Sequence, residues 1–213
     1  MTTAILKPLR LHIEPITAEP FDLELIRDHG HIDSIPGTFQ DDLLRKYMRA
    51  AIAWFEGETH RTVIQRSHRW VLECFPYVDY QQIQLPRGKT QSVESVQYWS
   101  GQSQVTLTGP SASPPGTGFR QDLKGIDGGI VMPPYGSSWP GHDLDAPDPV
   151  VCNFTAGYAA ASVPEDMLQA LLFYVSDANE LRGTADVDLG RYGKYSNIRE
   201  LMISGYRLHR WYG

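Results

Sequence analysis

The chain has 213 residues, of which 41% are hydrophobic and 21% charged, and its formal net charge is −6. This length allows one large domain or two small ones with a buried core, and the composition is ordinary for a globular protein. Proteins that bind nucleic acid tightly through phosphates usually carry a basic excess, so the acidic balance disfavours that function. No segment approaches the roughly 18 apolar residues of a membrane span. The N-terminus also lacks the apolar core of a signal peptide, so we expect synthesis in a cytoplasm.

The first quarter of the chain is predicted to be helical. Pro20 to Asp28 have the composition of a short helix that stops before Gly30. A longer helix is predicted to begin at Thr38, whose hydroxyl can cap it, and to end at Gly57. Its apolar residues recur at helical spacing, and aromatic and aliphatic neighbours widen the face: Leu44, Met48, Ala51, Phe55, Leu43, Tyr47 and Trp54. This helix is therefore expected to contact more than one neighbour.

The middle of the chain has the composition of β-strands. Strands are predicted at Thr62–Phe75, Ile83–Leu85, Val93–Trp99, Val105–Thr108 and Val150–Phe154. Because Ser100-Gly101-Gln102 separates two of these runs, they are expected to form a hairpin. Residues 109–118 and 133–149 are rich in glycine and proline and are predicted to be loops.

Helical patterns return near the C-terminus. Ser162-Val163-Pro164-Glu165 matches a capping box with proline in the first turn, and the helix it begins is predicted to end at Gly183. A last helix is predicted from Ser196 to about Arg210, with a weaker apolar pattern made by Ile198, Leu201, Met202 and Leu208.

These elements together predict an α+β fold. We expect N- and C-terminal helices that form a small bundle, with a β-rich insertion lobe between them. The corresponding division of the chain is an N-terminal helical part at 1–60, the β-rich lobe at 61–158, and the C-terminal helices with an interface tail at 159–213.

No pattern in the sequence predicts a catalytic, cofactor-binding or metal-binding residue. Asp28-His29-Gly30-His31 lacks further ligands at metal-site spacing. Gly141 to Asp148 contains alternating acids but not the glycine and distal glutamate of a calcium loop. Gly125 to Gly129 is not followed by the residues of a phosphate-binding loop. The two cysteines, Cys74 and Cys152, lie in strand-like runs, where a small buried side chain is expected.

Aromatic residues indicate two possible interfaces. Trp70 and Trp99 either fill the core of the β lobe or mark a binding surface. The chain also closes with a cluster of residue types that are enriched in binding hot spots: Tyr206, Arg207, His209, Arg210, Trp211 and Tyr212. The cluster either docks on its own domain or binds a partner, and the sequence leaves both open.

Four segments, in order, carry a resemblance to a known family. The first runs from Asp41-Asp42-Leu43-Leu44 through Ala50–Glu56 to Cys74-Phe75-Pro76. The second is Leu85–Tyr98, with its Ser-Val-Glu-Ser-Val-Gln-Tyr run. The third joins Thr155-Ala156-Gly157-Tyr158 to Val163–Asp166 and the helix that contains Ala170, and the fourth is Tyr206–Trp211. From about Phe21 to Trp211 the chain resembles the head–tail connector (adaptor) family of tailed bacteriophages, prophages and gene transfer agents. It departs from the family pattern at Asn179-Glu180, where an aromatic residue is expected before the glutamate.

The resemblance implies a structural virion protein without catalysis or cofactor. Such connectors form a ring, typically of twelve copies, beneath the portal protein in the neck between capsid and tail. They join the portal to a stopper or tail-completion protein, and double-stranded DNA passes through the lumen without specific binding. The particle would be assembled in the host bacterial cytoplasm. The resemblance also points to the C-terminal cluster as the portal-docking segment. The alternatives are another small virion part, such as a stopper or tail-completion protein, and, with less support, a carbohydrate-binding module or an enzyme.

Overall fold

A computed structural model of the chain describes residues 8–30, 39–76, 81–109, 118–124, 128–143, 145–181 and 196–208. Within these ranges the chain forms two antiparallel β-sheets and four α-helices. The described residues divide into two units. The β unit comprises residues 8–16 and Gln65–Gly157, and the helical unit comprises Thr17–Ile64 and Tyr158–Leu208.

The larger sheet of the β unit has five strands in the order β1-β2-β8-β4-β5. The strands are β1 (Pro8–Ile13), β2 (Arg66–Leu72), β4 (Thr90–Ser100), β5 (Ser103–Thr108) and β8 (Val150–Ala156). Strands β4 and β5 form the predicted hairpin, whose turn places Gly101 in the left-handed region (φ 61°). Residues that share a face stand opposite one another, so Cys152 on β8 pairs with Trp70 on β2 and with Val96 on β4.

The second sheet has three short strands in the order β3-β7-β6. These are β3 (Ile83–Gln84), β6 (Arg120–Asp122) and β7 (Ile130–Met132). Its position depends on Gly128, which has φ 88° and lies where a Cβ would be 2.8 Å from the carbonyl oxygen of Leu85. Next to it, Gly129 accepts a hydrogen bond from the amide of Leu85 (2.8 Å) and donates one to the hydroxyl of Thr90 (3.0 Å). Glycine is required at residue 128 because a side chain there would collide with backbone.

Side chains from both sheets form the core of the β unit. The buried cluster consists of Trp70, Leu72, Phe75, Ile83, Leu85, Val93, Val96, Tyr98, Leu107, Phe119, Val131, Trp139, Val150, Cys152, Phe154 and Ala156. Trp139 stacks on Phe75 at 4.8 Å between ring centroids and donates its indole N–H to the carbonyl of Gln81 (2.7 Å). Trp70 belongs to this buried cluster and is a core residue, whereas Trp99 is half-buried. The thiol of Cys152 is buried, which raises its pKa, and Cys74 is half-buried.

The helical unit contains α1 (Leu23–Gly30), α2 (Phe39–Thr59), α3 (Glu165–Glu180) and α4 (Ser196–Ser204). Helix α3 packs against each of the other three. The apolar face predicted for α2 is buried as expected, including Leu44, Met48, Ala51 and Phe55. On α3, Met167, Leu171, Val175 and Ala178 are likewise buried. The hydrophobic periodicity of the sequence thus identified the contact faces of the two longest helices correctly.

Several predicted helix ends are wrong. Helix α1 begins at Leu23 and not at Pro20, and it includes Gly30 instead of stopping before it. Helix α2 continues past Gly57 to Thr59, and His60 takes the left-handed conformation (φ 57°) that ends it. Ala160–Ser162 form a 3₁₀ turn instead of a capping box, and Pro164 is the N-cap of α3 without a side-chain cap. Helix α4 ends at Ser204 instead of near Arg210, because the chain turns so that the amide of Leu208 can bond to the carbonyl of Thr59 (3.0 Å). Thr38 and Gly183 lie outside the described residues.

The predicted fold class is correct as a mixed α+β protein with interacting helices, but the N-terminal part is not purely helical. Strand β1 precedes α1 and pairs with β2, with Leu11 opposite Trp70. No element was predicted at Pro8–Ile13, although Leu9, Leu11 and Ile13 alternate along this strand. The five-stranded sheet is therefore built from residues on both sides of α1 and α2 in the sequence.

Candidate assembly surface of the helical unit

Helix α4, which precedes the predicted docking cluster, is fixed to the helical unit by a buried arginine. Arg199 is fully buried, and its guanidinium lies 3.3 Å from a carboxylate oxygen of Asp177 on α3. The same guanidinium lies over the rings of Trp54 and Tyr174, at 5.3 and 5.1 Å from their centroids, and these rings stack on each other at 5.1 Å. One cation therefore ties α4 to both α2 and α3.

The electrostatics of this pair determine its role. Burial lowers the pKa of Arg199, and the nearby carboxylate of Asp177 opposes that shift. An arginine keeps its proton in proteins, so the site holds a charged pair. Two buried charges of opposite sign offset the cost of their burial only when they lie close together. The pair therefore determines the position of α4 more than the overall stability of the unit.

This anchor was not predicted from the sequence, where α4 showed only a weak apolar pattern made by Ile198, Leu201, Met202 and Leu208. The structure buries Arg199 and Ile203 instead, and it leaves Ile198 and Leu201 exposed at 45% and 76%. Arg199 is four residues before Ile203, so the two share one helical face. The sequence contains an arginine in α4 and an acid and two aromatic residues in α3 and α2. No spacing rule indicates that these residues pair in the fold.

Tyr206, the first residue of the predicted docking cluster, is held by its own chain. Its hydroxyl donates a hydrogen bond to Asp166 (2.6 Å), and its carbonyl accepts one from Arg61 (2.6 Å). The ring lies 5.8 Å from that of Phe55. Burial raises the pKa of Tyr206, and the bond to Asp166 raises it further, so this phenol stays protonated at neutral pH.

Arg207 and Leu208 extend the attachment. Arg207 forms ion pairs with Glu58 at 3.1 Å and with Glu200 at 2.6 Å, and it thereby bridges the end of α2 to α4. Together with the backbone bond of Leu208 to Thr59, these contacts fix the direction in which the chain leaves the helical unit. The other cluster members, His209, Arg210, Trp211 and Tyr212, lie outside the described residues. Docking of a portal by the cluster stays a prediction.

Side chains of the histidine motif and of the acidic loop form hydrogen bonds and ion pairs within the protein. The ring nitrogens of His29 lie 3.0 Å from the hydroxyl of Ser176 and 2.9 Å from the amide of Gln169. Asp148 forms ion pairs with Arg10 and with Arg69, the latter at 2.8 Å. Across the described ranges no group of three or more His, Cys, Asp or Glu side chains is arranged to hold a metal ion. Residues 125–127 and His31 lie outside those ranges.

The sequence matches no protein family model, and no curated protein is similar to it. No helix among the described residues is long and apolar enough to cross a membrane. Solved structures do resemble the chain. A chain from the neck of an empty gene transfer agent (GTA) particle, computed with C6 symmetry, has a TM-score of 0.71 and 23% identity over 96% of this chain and 98% of that one.

Two further structures agree with this likeness. A chain of the virion of a native GTA particle has a TM-score of 0.72 and 20% identity, over 96% of this chain and 98% of that one. A chain from the neck of a native GTA particle, computed with C12 symmetry, has a TM-score of 0.67 and 22% identity, over 95% and 98%. The likeness shows that this chain shares its fold with these proteins over almost its whole length.

Proposed function

We propose that this chain is a structural virion protein of the neck, a head–tail connector that forms a ring beneath the portal. The observation that carries the proposal is the fold shared with a GTA neck chain over 96% of this chain and 98% of the other. Nearly complete coverage of both chains matters, because the likeness then includes the β unit as well as the helical unit.

The four segments that resemble the connector family support the same conclusion from the sequence. Three of them coincide with structured parts of the chain, namely the body of α2, the β4 strand and the entry to α3. The proposed location is accordingly the neck between capsid and tail, after assembly in the host cytoplasm. The proposed partners are the portal protein, a stopper or tail-completion protein, and further copies of the chain.

The C-terminal cluster suits portal docking because its base is fixed. Tyr206 and Arg207 are anchored by Asp166, Arg61, Glu58 and Glu200. A short segment that starts from a fixed point loses less conformational entropy on binding than one on a mobile linker. We propose that His209, Arg210, Trp211 and Tyr212 contact the portal, while Tyr206 and Arg207 hold the segment in place.

The net charge of −6 is compatible with a passage for DNA. A channel wall that bound phosphates strongly would slow the movement of DNA through it. The carbohydrate-binding alternative loses support, because Trp70 and Trp139, at 1% and 9% exposed, lie in the core and offer no platform for a sugar ring. Another neck part remains an alternative, since the similar chains come from necks computed with C6 and with C12 symmetry.

Deletion of the gene in the producing cell tests the proposal. We expect heads and tails to accumulate separately, and complementation with the wild-type chain to restore complete particles. Electron microscopy of the lysate gives the readout. Complete, functional particles in the deletion strain would contradict a connector role.

A truncation tests the docking segment. Removal of His209–Gly213 leaves the anchored residues in place, so the subunit should fold while portal binding falls by at least about tenfold, as expected for loss of a hot-spot cluster. Glu24→Gln, an exposed change on α1, is the control and should leave portal binding unchanged. Unchanged binding of the truncated chain to purified portal would show that docking uses another surface.

A further inference from the structure

Helix α4 presents apolar side chains to solvent. Leu201 is 76% exposed and Ile198 is 45% exposed, and they lie three residues apart on one face. Their face points away from Arg199 and Ile203, which are buried against the rest of the helical unit. Adjacent large apolar side chains left in water are typical of an interaction surface. We call Ile198 and Leu201 the α4 ridge.

Helix α2 has an exposed face of the opposite shape. Ala50, Ala53 and Gly57 follow one another at helical spacing and are all exposed, on the side of α2 away from its buried residues. A Cβ at Gly57 would have no atom within 4 Å, so the space in front of it is open. We call these three residues the α2 row. Small side chains in a row let a second helix approach closely.

Charged side chains border both surfaces. Lys46 and Arg49 are exposed at the N-terminal end of the α2 row. At the other end of the row Glu58 follows Gly57 and shares Arg207 with Glu200, which lies next to the α4 ridge. One cation between two carboxylates leaves a net negative charge beside the ridge, opposite in sign to the charge of Lys46 and Arg49.

We infer that the α4 ridge of one copy packs into the α2 row of the next copy. This inference rests on the proposed function, because a closed ring requires two different, mutually complementary surfaces on each subunit. The large side chains of Ile198 and Leu201 fill the space in front of Ala53 and Gly57. Lys46 and Arg49 then face the negative charge around Glu200 of the neighbour, which fixes the direction of the contact.

A two-fold pair would also join ridge to row, because in an isologous contact each copy gives its ridge to the row of the other and receives the other's ridge in return. Such a pair closes at two copies, whereas the head-to-tail contact continues until the ring closes. The number of copies that are linked therefore distinguishes the two arrangements.

Disulfide trapping in particles tests this contact. The chain with both Ala53→Cys and Leu201→Cys is expressed in the producing cell, and purified particles are oxidised mildly. We expect a ladder of covalent multimers that ends at the ring size, and no ladder with either single substitution. Dimers without higher multimers from the double variant, or dimers from Leu201→Cys alone, would show a two-fold contact and overturn the inference.

A second pair of variants tests the same surface without introducing disulfide bonds. Leu201→Glu places a charge on the ridge, and Leu25→Glu places one on α1, where Leu25 is 42% exposed. Because both positions are exposed, both variants should fold. We expect at least about tenfold lower incorporation into particles for Leu201→Glu only, as for a central interface residue. Normal incorporation of Leu201→Glu would overturn the inference.

Failure of the inference is distinguishable from failure of the proposed function. If the wild-type chain is present in particles at ring copy number and the double cysteine variant gives no ladder, only the ridge-and-row contact is wrong. If the wild-type chain is absent from particles, the proposed function is wrong and the inference falls with it.

Discussion

In the β unit the buried side chains are almost all apolar, whereas the helical unit buries charged groups among its apolar ones. Of the buried polar side chains in the described ranges, only His68 and Thr90 belong to the β unit. The helical unit contains Asp41, Glu56, Thr59, Arg61, Thr62, Ser176, Asp177 and Arg199. The two units therefore differ in the kind of interaction that determines their structure.

The difference has a physical consequence. Apolar contacts have no direction, so a core of them tolerates exchange between side chains of similar volume. Buried ion pairs and hydrogen bonds depend on the placement of each atom and are costly when one partner is lost. The helical unit, with the anchors Arg199–Asp177 and Arg27–Asp41, should hold its helices in one arrangement. That property would suit the proposed role of this unit, in which its outer faces form the contacts of a ring.

The largest effect is expected from breaking the buried pair. Arg199→Met should destabilise the helical unit by about 3–5 kcal/mol, because the buried carboxylate of Asp177 then loses its ion pair with Arg199. Hydrogen exchange measures this if the amides of α3 are compared with those of β8. Arg199→Met combined with Asp177→Leu should recover much of the loss. Equal stability of Arg199→Met and wild type would refute a structural role for the pair.

A core truncation in the β unit should be nearly as costly but more easily compensated. Leu72 is fully buried, so Leu72→Ala should cost about 2–5 kcal/mol. The volume-conserving Leu72→Met should cost less than about 1.5 kcal/mol. Arg199→Lys, which also keeps size and charge, should be poorly tolerated because it loses the planar contact with Trp54 and Tyr174. Denaturant titration of Leu72→Ala, Leu72→Met, Arg199→Met and Arg199→Lys tests the comparison. A similar loss of stability in Leu72→Met and Arg199→Lys would contradict it.

Acidification should affect the β unit through His68. Burial lowers the pKa of His68 to about 4, from an ordinary value of 6.5. The folded state then binds fewer protons than the unfolded state between these values, so stability is full above pH 6.5 and falls as the pH drops towards 4. The loss is at most ~3 kcal/mol. His68→Phe should remove this pH dependence, and an unchanged pH profile of β8 amide exchange in that variant would contradict the assignment.

The smallest effect is expected at Asp148. A hydrogen bond from Arg69 is the main cause of its lowered pKa, with Arg10 contributing, so its stabilising effect is present above pH 3.8 and is lost as the pH falls below that value. The group is close to solvent, and such ion pairs are worth less than about 1 kcal/mol. Asp148→Asn should therefore lower the melting temperature slightly at pH 7, whereas Asp145→Asn, at an exposed position, should not. A large loss in the first variant would mean that this loop matters more than its exposure indicates.

The contrast between the units also explains what the sequence predicted. Periodicity identified the buried faces of α2 and α3 and the β4–β5 hairpin, because burial of apolar side chains produces those patterns directly. It misassigned α4, whose buried face contains Arg199, because no periodic rule marks a charge that is buried with its partner. Strands β6 and β7 were missed because three-residue strands are too short to show alternation.

The docking cluster has a related limit. Residue types predicted strong contacts at Tyr206 and Arg207, and the structure shows such contacts within the chain. Docking of a portal by the cluster stays a prediction. Composition indicates that a side chain makes strong contacts but not which partner it contacts. The exposed α4 ridge, in contrast, was recognisable only after the burial of Arg199 was known.

The central claim is that this chain forms a ring in the neck of a particle. Quantitative mass spectrometry of particles purified from the producing cell tests it most directly, with the chain counted against the portal protein. The account predicts a near-equal copy number for the two proteins. Absence of the chain from purified particles, or one or two copies per particle, would contradict it.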